Sequence, residues 1–428
     1  MKKILISLPF LFMLLPLYGQ ITISSNHENG IYAVGDTITW QIMIDSIDKY
    51  DSLRFAIKPG AYQVTEQGRL ELNNNRAEVS YRFTEPGSVI LEVRWGNPGT
   101  WFNRVVGGGV CAPAELELSE NRPEDFHEFW NDKIKELAAV PMNPWLQYES
   151  LDDTSVIYAK VMMDNIRDSK IQAQLARPNS CSKYPALLIV QWAGVYGLSK
   201  DWVINRAKEG WLVLNINPHD LPIDREEDFY RSQSQNELKN YWAIGNDHRD
   251  SSYFLRMYLS CYRGVEYLKQ HPAWNGRTLA VTGDSQGGQQ TVMTAGLHPD
   301  VTAAMALVPA GFDMLGPRVG RKGGWPQWHH NTEGKDSLQV WEASRYYDVS
   351  NFVRDIKCPI LVGVGLLDET CPPEGIIAGM NQLEEHKEII FLPNSQHQDR
   401  NGSQALYRKI RDEVWLPRLK EGLNPLDN

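Results

Sequence analysis

Between Gln20 and Gly109, apolar residues recur at every second position. Thr37 to Ile44 places Ile38, Trp40, Ile42 and Ile44 on one face. Ala77, Val79, Tyr81 and Phe83 do the same, as do Val89, Leu91, Val93 and Trp95. A period of two with one apolar face predicts half-buried antiparallel strands. The breaks between them carry turn residues: Asn29-Gly30, Pro59-Gly60, Asn73-Asn74-Asn75 and Pro86-Gly87. Short strands at this spacing predict an all-β sandwich of immunoglobulin-like type, with its aromatic residues in the core. Gly107-Gly108-Gly109 to Glu120 reads as a linker. Pro123 then takes a first helical position. Phe126, Phe129, Trp130, Ile134 and Leu137 follow at the spacing of an amphipathic helix.

Beyond Trp145 the period changes repeatedly. Val156 to Met163 and Ile171 to Ala176 read as a strand pair. Ala186 to Gln191 and Leu212 to Ile216 read as short buried strands, with a helix from Trp202 to Lys208 between them. Tyr253 to Leu268 reads as a longer helix. Strands follow at Leu279 to Val281, Ala303 to Val308, Ile360 to Val364 and Glu388 to Leu392. Buried strands alternating with helices predict an α/β domain whose doubly wound, mainly parallel sheet carries helices on both faces. Ligands of such sheets sit at the carboxyl ends of the strands. The expected organisation is a leader at 1–19, a β-sandwich at 20–112 and the α/β domain at 113–428.

Composition narrows the function. The formal charge of −10 in 428 residues gives no general attraction for phosphate backbones, so nucleic acid is not an expected partner. Lys2 and Lys3, the apolar run Ile4 to Leu17 and the small Gly19 read as a secretory signal cleaved before Gln20. That run is too short for a comfortable membrane span, so an exported, periplasmic or secreted chain is expected. Five cysteines, an odd number without CxxC spacing, form no disulfide scaffold and no zinc motif. No metal and no cofactor are expected.

The chemistry centres on Gly283-Asp284-Ser285-Gln286-Gly287, between the strand at Leu279 and a helix read from Gln289 to Leu297. In G-x-S-x-G the glycines let backbone segments pass closely, and the serine stands on a strained turn above the sheet. The bland alternative is a Gly-rich turn in which Ser285 caps the helix. A serine hydroxyl needs a base, and the base needs an orienting carboxylate. His397 lies in the loop after the last strand. His298 (read as a helix-end or surface residue), His329, His330 and His386 (in a charged helical stretch) fit less well. Asp368 follows the strand at Ile360, with Glu369 and Asp399 as competitors. Cys371 reads as a packed loop residue. One oxyanion donor is expected from the backbone of Gln286, and another from the loop Trp192 to Tyr196.

Four stretches carry a resemblance: Arg122 to Phe126 with Phe129-Trp130; Tyr253 to Tyr267; Gly283 to Gly288, reading GDSQGG; and Gly365 to Asp368 with Cys371-Pro372-Pro373. Over about residues 115 to 420 the chain resembles the acetyl xylan esterase and cephalosporin C deacetylase family, carbohydrate esterase family 7. The resemblance implies an α/β-hydrolase fold and removal of acetyl groups from sugar hydroxyls. By motif position it implies Ser285 as nucleophile, Asp368 as acid, His397 as base, and backbone donors at Gln286 and Val195. It also raises a homo-oligomer as an expectation, although the compact members of the family lack the sandwich. Ala193-Gly194-Val195 and Gln396-His397-Gln398 stand where the family has His-Gly-Tyr and Gly-His-Glu, changes that bear on substrate identity.

The leading reading is therefore an exported serine esterase that deacetylates a polysaccharide or its oligosaccharides. Trp192, Tyr196, Trp325 and Trp328 are candidates either to stack on sugar rings or simply to pack. A serine peptidase on the same fold and a non-catalytic carbohydrate-binding protein are the alternatives.

Overall fold

The computed structural model describes residues 21–45, 53–95 and 103–427. The leader read at 1–19 lies outside the described residues.

The N-terminal region is all β. Its strands are β1 (Ile21–Ser25), β2 (Ile31–Tyr32), β3 (Thr37–Ile44), β4 (Arg54–Pro59), β5 (Glu66–Arg69), β6 (Arg76–Arg82), β7 (Gly87–Trp95) and β8 (Asn103–Cys111). They form one sheet in the order β1-β3-β6 and a second in the order β2-β8-β7-β4-β5. The alternation seen in the sequence decides what lies between the sheets. Ile38, Trp40, Ile42 and Ile44 of β3 are buried against Val89, Leu91 and Val93 of β7 in one apolar cluster. Each such side chain contributes about 1.5–3 kcal/mol on burial.

Gly107-Gly108-Gly109, expected in a linker, instead lies inside β8. The reason is close packing. A Cβ on Gly107 would come within 2.7 Å of Ile23, one on Gly108 within 2.7 Å of the Val89 carbonyl, and one on Gly109 within 2.8 Å of Tyr32. The triplet is glycine because its neighbours leave no room for a side chain.

The larger region is built on a nine-stranded sheet in the order β17-β16-β15-β14-β12-β13-β11-β10-β9. Its strands are β9 (Trp145–Glu149), β10 (Val156–Asp164), β11 (Lys170–Pro178), β12 (Tyr184–Ile189), β13 (Leu212–Ile216), β14 (Trp274–Asp284), β15 (Ala303–Leu307), β16 (Ile360–Gly365) and β17 (Lys387–Leu392). From β13 to β17 the pairs are parallel, while β9, β10 and β11 pair antiparallel.

The helices are α1 (Phe126–Ala138), α2 (Asp201–Lys208), α3 (Glu227–Gln235), α4 (Tyr253–Gln270), α5 (Gln286–Leu297), α6 (Ser337–Ser344), α7 (Ser350–Val353), α8 (Pro373–Met380), α9 (Ala405–Ile410) and α10 (Leu416–Glu421). Successive strand residues point to opposite faces, so each strand feeds two cores. Ala186, Leu188, Leu279 and Val281 pack with α1, α4 and α5. Leu187, Val213 and Ala280 pack with α2, α9 and α10.

Helix α1 buries Phe126, Phe129, Trp130 and Leu137 as its spacing predicts. It starts three residues later than expected. Pro123 lies in the preceding turn, where its carbonyl accepts from the Phe126 amide at 3.2 Å. The stretch around His386 is not helical: α8 ends at Met380, and His386 adopts a φ of 63°. Among the described residues no helix is long and apolar enough to cross a membrane.

Candidate active site

Strand β14 runs directly into α5 through Ser285, whose φ of 56° and ψ of −119° lie outside the helical and extended wells. Such a residue costs about 1–3 kcal/mol, which the surroundings must offset. The amide of Ser285 donates to Leu307 O at 2.9 Å, and its carbonyl accepts from Gln289 and Ala310. The flanking glycines are obligatory for steric reasons. A Cβ on Gly283 would lie 2.6 Å from the Gly287 backbone, and one on Gly287 would lie 2.6 Å from Val190 O. The Ser285 hydroxyl does not cap α5.

That hydroxyl lies 2.8 Å from His397 Nε2. His397 Nδ1 lies 2.8 Å from Asp368 Oδ2. A carboxylate only accepts, so Nδ1 carries the proton and Nε2 presents its lone pair to the serine. Asp368 is fully buried, and its other oxygen accepts from the Thr370 and Cys371 amides at 2.8 Å each. The three side chains come from loops after β14, β16 and β17, so the carboxyl ends of the strands bring them together. Glu369 points away, toward Lys58 and Arg104, and Asp399 pairs with Arg408 at the cavity wall.

Asp368, Cys371 and His397 also offer ligand atoms within 4.8 Å of one another. Both Asp368 oxygens are already engaged, and burial pushes the Cys371 thiol well above its usual range, leaving it a protonated and poor ligand. In a second such group, Glu266, His298 and Asp300, both carboxylates already pair with the Lys269 ammonium. His298 is buried, not on the surface, and its Nε2 lies 2.8 Å from Glu266.

The serine opens into a cavity of about 570 Å³ lined by Trp192, Ala193, Trp325, Thr370, Gln398 and Arg408 among others. A larger cavity of about 680 Å³ adjoins it, sharing Trp192 and Asp284. Trp192 is 44% exposed. It stacks on Tyr196 with ring centroids 5.4 Å apart and meets Trp202 edge-on at 5.2 Å.

The four aromatic candidates separate clearly. Trp192 and Trp325 line the cavity that holds Ser285 and His397. Tyr196 backs Trp192, donating its hydroxyl to Trp192 O at 2.9 Å. Trp328 is core. It is 1% exposed, packs on Phe254 and Tyr347, and donates to Trp242 O at 2.6 Å, so it is not available to a sugar.

Gln286 is the first residue of α5, where amides have no intrahelical acceptor. On the facing loop, Ala193 lines the cavity of Ser285, whereas Val195 lines a separate cavity with Tyr196, Arg225 and Tyr230. The two segments are tied by residues that sequence reasoning missed. The Gly194 amide donates to the Tyr241 hydroxyl at 3.3 Å, which donates to Gln286 Oε1 at 2.6 Å. His219 Nε2 donates to Gly194 O at 2.8 Å, so Nδ1 accepts from Tyr253 at 2.6 Å. Burial, with Arg256 nearby, lowers the His219 pKa to about 4 against the opposing bond to Gly194, so the ring is neutral. The only sequence signal was a polar cluster, Asn217-Pro218-His219-Asp220, directly after a buried strand.

A mainly parallel sheet, a serine on a strained strand-to-helix turn, and an aspartate and a histidine following in that order define an α/β-hydrolase. The sequence profile of the acetyl xylan esterase (AXE1) family matches residues 115–411, and the chain belongs to that family of carboxylic ester hydrolases. Acetyl esterase Axe7A of Xylanibacter ruminicola is 29% identical over 397 residues, covering 90% of this chain and 89% of that protein. Two solved structures share the fold. Acetyl xylan esterase 1 from a Thermoanaerobacterium species is 22% identical with a TM-score of 0.60, over 69% of this chain and 96% of its own. An acetyl xylan esterase from a Paenibacillus species is 20% identical with a TM-score of 0.60, over 72% of this chain and 98% of its own.

Proposed function

We propose that this acetyl esterase is exported and removes acetyl groups from a polysaccharide or its oligosaccharides through an acyl-enzyme on Ser285. The continuous relay from Ser285 Oγ to His397 to Asp368, with both contacts at 2.8 Å, carries the reading. His397 Nε2 takes the serine proton as Oγ attacks the acetyl carbonyl. The oxyanion is met by the backbone amides of Gln286 and of the 193–195 loop, with Val195 as the assigned donor. His397 then protonates the departing sugar oxygen. It next takes a proton from water, whose oxygen attacks the acyl carbon, and returns that proton to Ser285 Oγ as the acyl–oxygen bond breaks and acetate leaves. Asp368 holds the imidazole in the required tautomer and stabilises the imidazolium.

Support for a sugar leaving group comes from Trp192, an exposed ring at the cavity mouth suited to a pyranose face. Support for export comes from the basic and apolar leader in the sequence. The division into a sandwich at 20–112 and a catalytic domain at 113–428 belongs to the same reading.

The test is acetate release from acetylated xylan and xylo-oligosaccharides by the wild type and Ser285→Ala, with a small chromogenic acetate ester alongside. Release from all of them, lost in the variant, supports the full reading. Release from the small ester alone keeps the relay and moves the glycan elsewhere. Activity that survives Ser285→Ala removes Ser285 as nucleophile.

A further inference from the structure

The loop that carries Asp368 is held on one side by the end of β17 and the His397 loop: the Leu366 amide donates to Leu392 O at 3.1 Å and the Leu367 amide to Ser395 O at 3.0 Å. Its other side is held by the N-terminal β region. Leu367, immediately before Asp368, is 8% exposed and packs in a separate apolar cluster with Ala61, Ile90 and Val106. The fit is tight: a Cβ on Gly108 would stand 3.0 Å from Leu367 Cδ2. Glu369, immediately after Asp368, lies 2.8 Å from Arg104 and 3.5 Å from Lys58.

Those two cations are themselves fixed by Glu92, which is fully buried on β7. Glu92 lies 3.1 Å from Lys58 and 2.6 Å from Arg104, and also pairs with Arg94. At the start of α8, Glu374 accepts from the Ser88 amide at 2.9 Å and the Ser88 hydroxyl at 2.8 Å. Its other oxygen meets Arg321 at 3.3 Å. The residues on both sides of Asp368, and the helix that follows, are thus anchored to strands β4, β7 and β8.

We propose that the N-terminal β region is a positioning element of the catalytic machinery, with Glu369 and Leu367 as the positioning residues through which it fixes Asp368 against His397. A region merely tethered to the enzyme would contact a remote face. This one grips the two residues flanking the carboxylate that orients the base. The geometry explains why Glu369, adjacent to a catalytic candidate, is turned away from the cavity: its partners are in the other region. A carboxylate that orients an imidazole must hold its place closely, because small displacements of reacting groups cost roughly a hundredfold in rate.

The inference rests on Asp368 being the orienting acid, so the experiment separates the two. Steady-state kinetics on a small chromogenic acetate ester would compare the full-length wild type, Asp368→Asn, Glu369→Gln and the double variant, with thermal melting of each. The expected result is a loss of kcat of roughly 10–100-fold in Glu369→Gln with little change in KM, and no further loss when the same change is made on Asp368→Asn. Glu369→Gln with wild-type kcat, or an equal loss in both backgrounds, would overturn the proposal. Full activity in Asp368→Asn would instead remove the orienting acid itself. Should Glu369→Gln fail to fold, Leu367→Ala carries the same comparison, since it withdraws the other contact beside Asp368 and leaves the charge cluster around Glu92 intact.

Discussion

The turn bearing Ser285 and the loop bearing Asp368 serve one relay but are held in opposite ways. The serine turn is nearly self-sufficient. Its glycines, its own helix and the adjoining strands β12 and β15 impose the strained backbone, and the partners lie within the same layered sheet. The aspartate loop has only part of its support in that sheet. The rest arrives from Lys58, Ile90, Arg104 and Val106, more than 250 residues away in sequence. A nucleophile must be presented in a rare backbone conformation, which local steric pressure can enforce. An orienting carboxylate must be fixed relative to another loop, and that takes a brace from outside.

The sharpest way to separate chemistry from support is Ser285→Ala. It removes the proposed nucleophile without changing packing, so kcat on an acetate ester should fall roughly 10⁴-fold or more while the melting temperature holds. Glu92→Gln attacks the brace instead. It leaves Lys58, Arg94 and Arg104 around a buried neutral group, and should cost about 3–5 kcal/mol of stability in chemical denaturation. Burial alone would raise the Glu92 pKa; hydrogen bonds from Arg94, Arg104 and Lys58 outweigh it and pull the value down to about 2. The contribution of Glu92 is therefore present above its unfolded value and lost as pH falls from about 4.5 through 2.

The loop facing the serine gives a third comparison. His219 titrates at about 4 in the folded chain against 6.5 for a free imidazole, so the unfolded state binds more protons between those values. Stability should fall as pH drops from 6.5 toward 4, by up to about 3 kcal/mol from this residue. Denaturation midpoints across that range should lose this part of the slope in His219→Asn. The smallest effect should come from Trp192→Ala. One aromatic contact is worth about 0.5–1.5 kcal/mol, so KM for an acetylated xylo-oligosaccharide should rise about 2- to 10-fold, and more than KM for the small ester.

Legibility in the sequence followed the range of the forces involved. Thr37–Ile44 and Leu212–Ile216 were read to the residue, because period and burial coincide along a single strand. The GDSQGG turn was read because its steric demands are met within a few residues of itself. Gly107 to Gly109 was misread because a glycine forced by a neighbour across the sheet looks the same as a glycine in a flexible link. For Trp328 the sequence offered both stacking on a sugar and simple packing, because its polar, Trp-rich surroundings gave no sign of Phe254 and Tyr347 packing over it. The helical reading at His386 failed because its charges mark a turn after α8.

By itself the sequence determined the class of sheet, the serine turn and the order serine, aspartate, histidine, since each is written in local period or local sterics. Only the tertiary structure decided that Glu369 turns to the β region, that His219 and Tyr241 tie the 193–195 loop to α5, and that Trp192 and Trp325, but not Trp328, reach the cavity. Those outcomes depend on which distant groups meet across layers, and burial of charge and shape between layers leaves no periodic trace in the chain.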